Sequence, residues 1–189
     1  MSSAFDLSPQ PALAGKQPII RNGVRIAPLF GGHVIHVLGR SGDNELGALL
    51  RDVAGGSLVA VRDVSPSQYF IVGDATLTHS ETLAIAEKLK PRADIVDQSG
   101  GRVRIAVRGP MAKRVLAKGT AVDVTSLTIG QSVMTLVGHI GTQIARIGDD
   151  SFEIIVLRGF AESLWDDLDH MSREFIAPAI NTAPLPTVR

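Results

Sequence analysis

The sequence predicts an α+β fold of two ferredoxin-like lobes with mainly antiparallel sheets. Three observations carry this. Strand-like runs and amphipathic helices follow the order β-α-β-β-α-β over residues 33–96, and a looser version of the same grammar starts at residue 102. Tight turns rich in Gly, Pro, Ser and Asp join several strands directly, which marks antiparallel hairpins rather than regular βα alternation. The expected division is an extended N-terminal arm over 1–22, a first lobe over 23–98, a second lobe over 99–176 and an extended C-terminal tail over 177–189. The arms are read from proline: six of the ten prolines lie at the two ends, where no periodicity supports a ladder.

In the first lobe, His33 to Leu38 reads as a strand. Leu46, Leu49, Leu50 and Val53 then fall at i, i+3, i+4 and i+7, behind Asp43 and ahead of Gly55-Gly56, so a helix is expected there with both ends marked. Ser57 to Asp63 and Gln68 to Gly73 form a hairpin around Val64-Ser65-Pro66-Ser67. Thr78 and Glu81 make a capping box for a second helix, with Leu83, Ile85, Ala86 and Leu89 expected inward and Pro91 as its stop. Ala93 to Val96 closes the lobe.

The second lobe opens on Arg102 to Arg108, where alternation puts Val103, Ile105 and Val107 on one face and Arg102, Arg104 and Arg108 on the other. Gly109-Pro110 introduces a helix with Met111, Val115 and Leu116 inward and Gly119 as its cap. Strands are expected at Gln131 to Val137, Thr142 to Ile147 and Phe152 to Leu157. A last helix then carries Phe160, Leu164, Leu168, Met171 and Phe175 in one stripe.

Composition narrows the function classes. The 19 Lys and Arg balance 19 Asp and Glu, so the chain lacks the long-range field of a nucleic-acid or anionic-membrane binder. Without cysteine there is no disulfide framework, thiol nucleophile, iron–sulfur cluster or Cys-ligated zinc. No apolar run follows positive charge at the start, so a cytoplasmic location is expected. The charge-free stretch Thr125 to Ala145 is interrupted by Gly, Ser, Thr, Gln and His and reads as strands rather than a membrane span.

Chemistry-bearing constellations are sparse. Neither G-x-G-x-x-G nor G-x-x-x-x-G-K-[ST] falls at a strand-to-helix junction, and no G-x-S-x-G elbow presents a serine. His33 and His36, three apart on a strand, point to opposite faces and are expected not to chelate one ion. Asp166, Asp167, Asp169 and His170 read as a solvated helix face. The arginines of the 102–108 strand suit an exposed sheet face or a partner's acidic patch, and Trp165, the single tryptophan, suits core or an interface anchor. Arg102, Arg104, Arg108 and Trp165 are therefore the candidate partner-interface residues, with no catalytic, cofactor or metal residue assigned.

Several segments between Asp97 and Leu168 together resemble one known family. They are Asp97-Gln98-Ser99, Gly101-Arg102-Val103, Val107-Arg108-Gly109-Pro110, Val115-Leu116-Ala117-Lys118-Gly119, Val122-Asp123-Val124, Gly148-Asp149-Asp150-Ser151-Phe152-Glu153-Ile154 and Phe160-Ala161-Glu162-Ser163-Leu164-Trp165. In order and separation they are similar to the gamma subunit of heterotetrameric sarcosine oxidase. Relatives often carry Cys after Lys-Gly, where this chain has Thr120.

The resemblance implies a fold like the folate-binding domain of aminomethyltransferases. It further implies a small non-catalytic subunit packed against alpha, with beta and delta completing the complex. It places FAD, FMN, NAD and tetrahydrofolate on those partners and none on this chain, and the complex oxidatively demethylates sarcosine to glycine. Two alternatives stay open: the equivalent subunit of an N-methylglutamate dehydrogenase-like complex, and a free-standing tetrahydrofolate-binding aminomethyltransferase-like protein. An isolated chain could hide its apolar patch as a homodimer.

Overall fold

The computed structural model describes residues 10–43, 45–57 and 60–176. The strands are β1 (Ile19–Arg21), β2 (Val24–Leu29), β3 (His33–Gly39), β4 (Val61–Ser65), β5 (Gln68–Gly73), β6 (Ala93–Asp97), β7 (Arg102–Arg108), β8 (Ser132–Val137), β9 (Ile140–Gly148) and β10 (Ser151–Leu157). The helices are α1 (Leu46–Val53), α2 (His79–Leu89), α3 (Ala112–Ala117) and α4 (Ala161–Ser172). The expected α+β class holds, and every strand pairing among the described residues is antiparallel.

The first lobe forms as its periodicity dictates. Asp43 Oδ1 accepts from the amides of Glu45 and Leu46 at 3.1 Å each, satisfying donors that open α1. The Thr78 hydroxyl accepts from Glu81 N at 3.3 Å while Glu81 accepts from Thr78 N at 2.7 Å, so the capping box at α2 is reciprocal. The sheet order β4-β5-β3-β6 is the ferredoxin-like arrangement, and its Ile35, Val37 and Ile71 bury against Leu46, Leu50 and Leu89 of the helices.

The larger sheet runs β1-β2-β7-β10-β9-β8. Around β7-α3-β9-β10-α4 it repeats the ferredoxin-like order, but β2, from before the first lobe, takes the fourth place by pairing with β7 from Arg25↔Arg108 to Leu29↔Arg104. The expected boundaries at 22/23 and 98/99 are thereby corrected: the first lobe, β3 to β6, is inserted between two neighbouring strands of the second. The part of the expected arm that is described, residues 10–22, packs on this chain. Leu13 is 1% exposed, β1 pairs with β2, and Arg21 Nη2 meets Asp169 Oδ1 at 2.8 Å. Residues 1–9 of the arm, the tail 177–189 and part of the expected strand run from Ser57 lie outside the described residues.

Four layers result. One face of the larger sheet buries Ile105, Val107, Phe152, Ile154 and Val156 against Ala112, Val115, Leu116, Leu164 and Leu168 of α3 and α4. Each such fully buried Val, Leu, Ile or Phe side chain is worth about 1.5–3 kcal/mol of transfer free energy. The other face meets the small sheet, where Ile155 packs with Val34, Phe70 and Val72. Three smaller expectations are corrected. Leu83 is half exposed on α2 and Phe160 half exposed in the single 3-10 turn before α4, because the inward stripes close on Ile85 with Leu89 and on Leu164 with Leu168. Gly119 serves close approach rather than a left-handed cap: a Cβ there would lie 2.8 Å from Met171 Sδ and 2.9 Å from Val137 Cγ1. No described helix is long and apolar enough to cross a membrane.

Candidate functional site

The alternation in β7 is as expected, but its arginine face is not wholly solvated; the first lobe covers its middle, at Arg104. Arg104 is 6% exposed. Its Nε donates to Glu153 Oε1 at 2.6 Å, its Nη2 to Glu153 Oε2 at 3.2 Å and to Asp74 Oδ1 at 2.7 Å, and its Nη1 to the Gly73 carbonyl at 2.8 Å. Arg62 Nη1, from the first lobe, reaches Glu153 Oε1 at 3.0 Å, with both side chains 3% exposed. The expectation of a solvated strand face is thus corrected for Arg104, whose donors are used inside this chain.

Burial, the largest influence on Glu153, pushes its carboxyl up, but the Arg104 and Arg62 guanidinia outweigh it and hold the group below the ordinary carboxylate range. Burial likewise opposes charge on Arg104, and the Glu153 and Asp74 carboxylates reverse that, raising its pKa. The Asp74 carboxyl is lowered by its hydrogen bond to Arg104 and by that cation's field.

These residues line a cleft of about 820 Å³ between the lobes. Arg62, Arg104, Glu153 and Asp74 form its polar wall, Leu29, Phe30, Ile71, Leu77 and Ile85 its apolar wall, and Arg108 also lines it. Arg108 is exposed and stands directly opposite Arg25 in the β2–β7 register, a like-charge pair that favours an anion nearby. His33 lines the cleft with its Nδ1 2.7 Å from the Ala75 carbonyl oxygen. His36 stacks edge-on to Phe70 at 5.1 Å, and burial, outweighing the opposing effect of its hydrogen bond to Gln68, sets its pKa below the ordinary value. No three His, Asp or Glu residues among those described come together as a metal site.

Of the candidate residues, Arg102, Arg104 and Arg108 share this interlobe face, whereas Trp165 does not. Trp165 is 4% exposed within the core under α4, the first of its two readings. Arg102 is half-buried with its guanidinium 4.8 Å from the Phe70 ring centroid. Sequence reasoning missed Arg62, Asp74 and Glu153. One signal existed, since Glu153 is a lone charge inside the apolar run Phe152 to Leu157. Chemically the cluster is a lock: a carboxylate held ionised by two guanidinia takes up no proton near neutrality, which unfits it for acid catalysis.

The sequence profile of one protein family, described as GCVT N-terminal domain, matches residues 47–183. No curated protein matches the chain. Among solved structures, a chain of heterotetrameric sarcosine oxidase from Corynebacterium sp. U-96, in complex with pyrrole 2-carboxylate, superimposes with a TM-score of 0.75 at 16% identity, over 90% of this chain and 98% of that one. The glycine cleavage system aminomethyltransferase T from Bartonella henselae superimposes with a TM-score of 0.58 at 18% identity, over 78% of this chain and 46% of that one. The present chain therefore spans about half the length of the aminomethyltransferase, and at these identities the likeness is one of fold.

Proposed function

The chain belongs to the GCVT N-terminal domain family, and on that premise we propose that it is a small accessory subunit, gamma-like, of a heterotetrameric sarcosine oxidase-like flavoenzyme. The observation that carries this reading is the near-complete mutual coverage with one chain of a heterotetrameric enzyme, against under half of the aminomethyltransferase. The body resembles a whole subunit of an assembly. The locked carboxylate supports the same reading, because the one buried acid of the interlobe cleft is committed to holding the lobes together.

On this reading FAD, FMN, NAD and tetrahydrofolate sit on the larger alpha and beta subunits, and sarcosine is demethylated there. An N-methylglutamate dehydrogenase-like complex would differ only in what those partners bind. Co-expression tests it: a tagged form of this chain should bring down the flavoprotein subunits encoded beside it, and recovery of the tagged chain alone would defeat the reading.

A second reading, a free-standing folate-binding protein, draws on the size of the cleft and on Arg108 as a seat for a carboxylate tail. A pterin presents a paired donor edge that wants a carboxylate, and both acids of the cleft, Glu153 and Asp74, are engaged by arginine. The residues fit the tail and not the ring. Calorimetric titration of the isolated chain with tetrahydrofolate separates the two readings, since saturable micromolar binding would favour the second.

A further inference from the structure

Arg102 opens β7 on the face turned to the first lobe, two residues before Arg104, yet it is treated differently. Arg104 has two carboxylates; Arg102 has none among the described residues. Its Nε is buried without a hydrogen-bond partner, and its one close contact of note is the Phe70 ring face. A cation partly withdrawn from water without counter-charge is unfavourable, and a ring face offsets only part of that.

The surroundings indicate what completes it. Arg102 lines a second cleft of about 320 Å³ together with Phe30, Ser99, Arg104 and Arg158, and among the described residues no Asp or Glu lines it. Arg104 is neutralised by Glu153, and Arg158 donates to the Gln10 carbonyl, so at this cleft Arg102 and Arg158 stand without a carboxylate among the described residues. Phe30, on this cleft, is 54% exposed, and Leu157, directly opposite Arg102 in the β7–β10 register, is 44% exposed. A free inorganic anion would leave both apolar groups in water, whereas a side chain on a docked surface covers them while its carboxylate meets the guanidinium.

We propose that this cleft is a socket for an acidic side chain of a partner polypeptide, its carboxylate bridging Arg102 and Arg158 and its neighbours covering Phe30 and Leu157. The proposal rests on the accessory-subunit reading and says where that subunit is held.

The test compares the full native chain with Arg102→Met and Arg102→Lys, each alone and co-expressed with the larger flavoprotein subunits. Met keeps an apolar stem over Phe70 and deletes the charge. It should leave the Tm of the isolated chain unchanged or raise it, while weakening the affinity for the flavoprotein by about thirtyfold or more, as loss of one desolvated charge pair does. Lys should restore capture in part, because it keeps the charge without the guanidinium fork.

Native capture with undiminished capture by Arg102→Met sinks the socket and spares the subunit reading; no capture by the native chain sinks the subunit reading first. A lowered Tm for isolated Arg102→Met would mean that the guanidinium is already satisfied within the chain, which also overturns the proposal. So would glutarate raising the Tm of the native chain but not of Arg102→Met while assembly is unaffected, since the cleft would then serve a free dicarboxylate.

Discussion

Arg104 and Glu153 meet diagonally across β7 and β10, Nε to Oε1 at 2.6 Å, at the plane where the two sheets face one another. The same carboxylate receives Arg62 from β4, so one acid joins the inserted lobe to the sheet whose sequence that lobe interrupts. Beside it Ile155 packs on Val34, Phe70 and Val72, and Gln143 Nε2 donates to the Asp63 carbonyl at 2.7 Å. The interlobe contact is thus part apolar and part ionic, with the Glu153 pairs buried.

Glu153→Gln should destabilise the protein by about 3–5 kcal/mol, because two buried guanidinia lose the one buried carboxylate they share. The combined replacement Arg62→Met, Arg104→Met, Glu153→Leu should recover most of that loss, since a well-packed apolar set needs no compensation. Urea unfolding of the three proteins checks both.

Acid should weaken the same junction. The Glu153 pKa is depressed in the folded state, so its contribution is present above the unfolded carboxylate value, about 4.3, and is lost as pH falls through the lower folded value. The exposed Asp74 adds a smaller term of the same sign. Urea midpoints should therefore stay level from neutrality to about pH 5 and fall below it, and the slope should be reduced in Glu153→Gln.

The single tryptophan gives a spectroscopic check of the core. Trp165 is 4% exposed, so its emission should be blue-shifted in the folded chain and resist iodide quenching. Ready quenching of the folded protein would place the ring on the surface instead.

Much of this architecture was legible because local rules decide it. The heptad-like leucines of α1, the Thr78 capping box and the alternation in β7 each depend on residues within one element, and each formed where its pattern said. What was not legible is long-range. Nothing in Val24 to Leu29 says that it pairs with a strand some eighty residues on, and Pro28 weakens its strand signature. The arginine face looked solvated because alternation specifies that a face exists, not what comes to cover it. Arg62 and Glu153 became a site only through that covering.

Gly32 tests how tightly the cover fits. Its φ is +78°, and a Cβ there would run into the Gly73 carbonyl oxygen and lie 2.5 Å from Arg104 Nη1. Gly32→Ala should cost about 2 kcal/mol or more through combined backbone and steric strain, and it should shift the acid midpoint by loosening Arg104 from Glu153. A chemical-denaturation series across pH reads both effects.

The most direct measurement is the mass of the particle formed when the purified chain is mixed with the flavoprotein subunits encoded beside it, followed by light scattering with flavin absorbance. The account predicts a single heavier species that carries both this chain and flavin, with no sarcosine turnover by the chain alone. Unchanged masses, or turnover by the chain without companions, would contradict it.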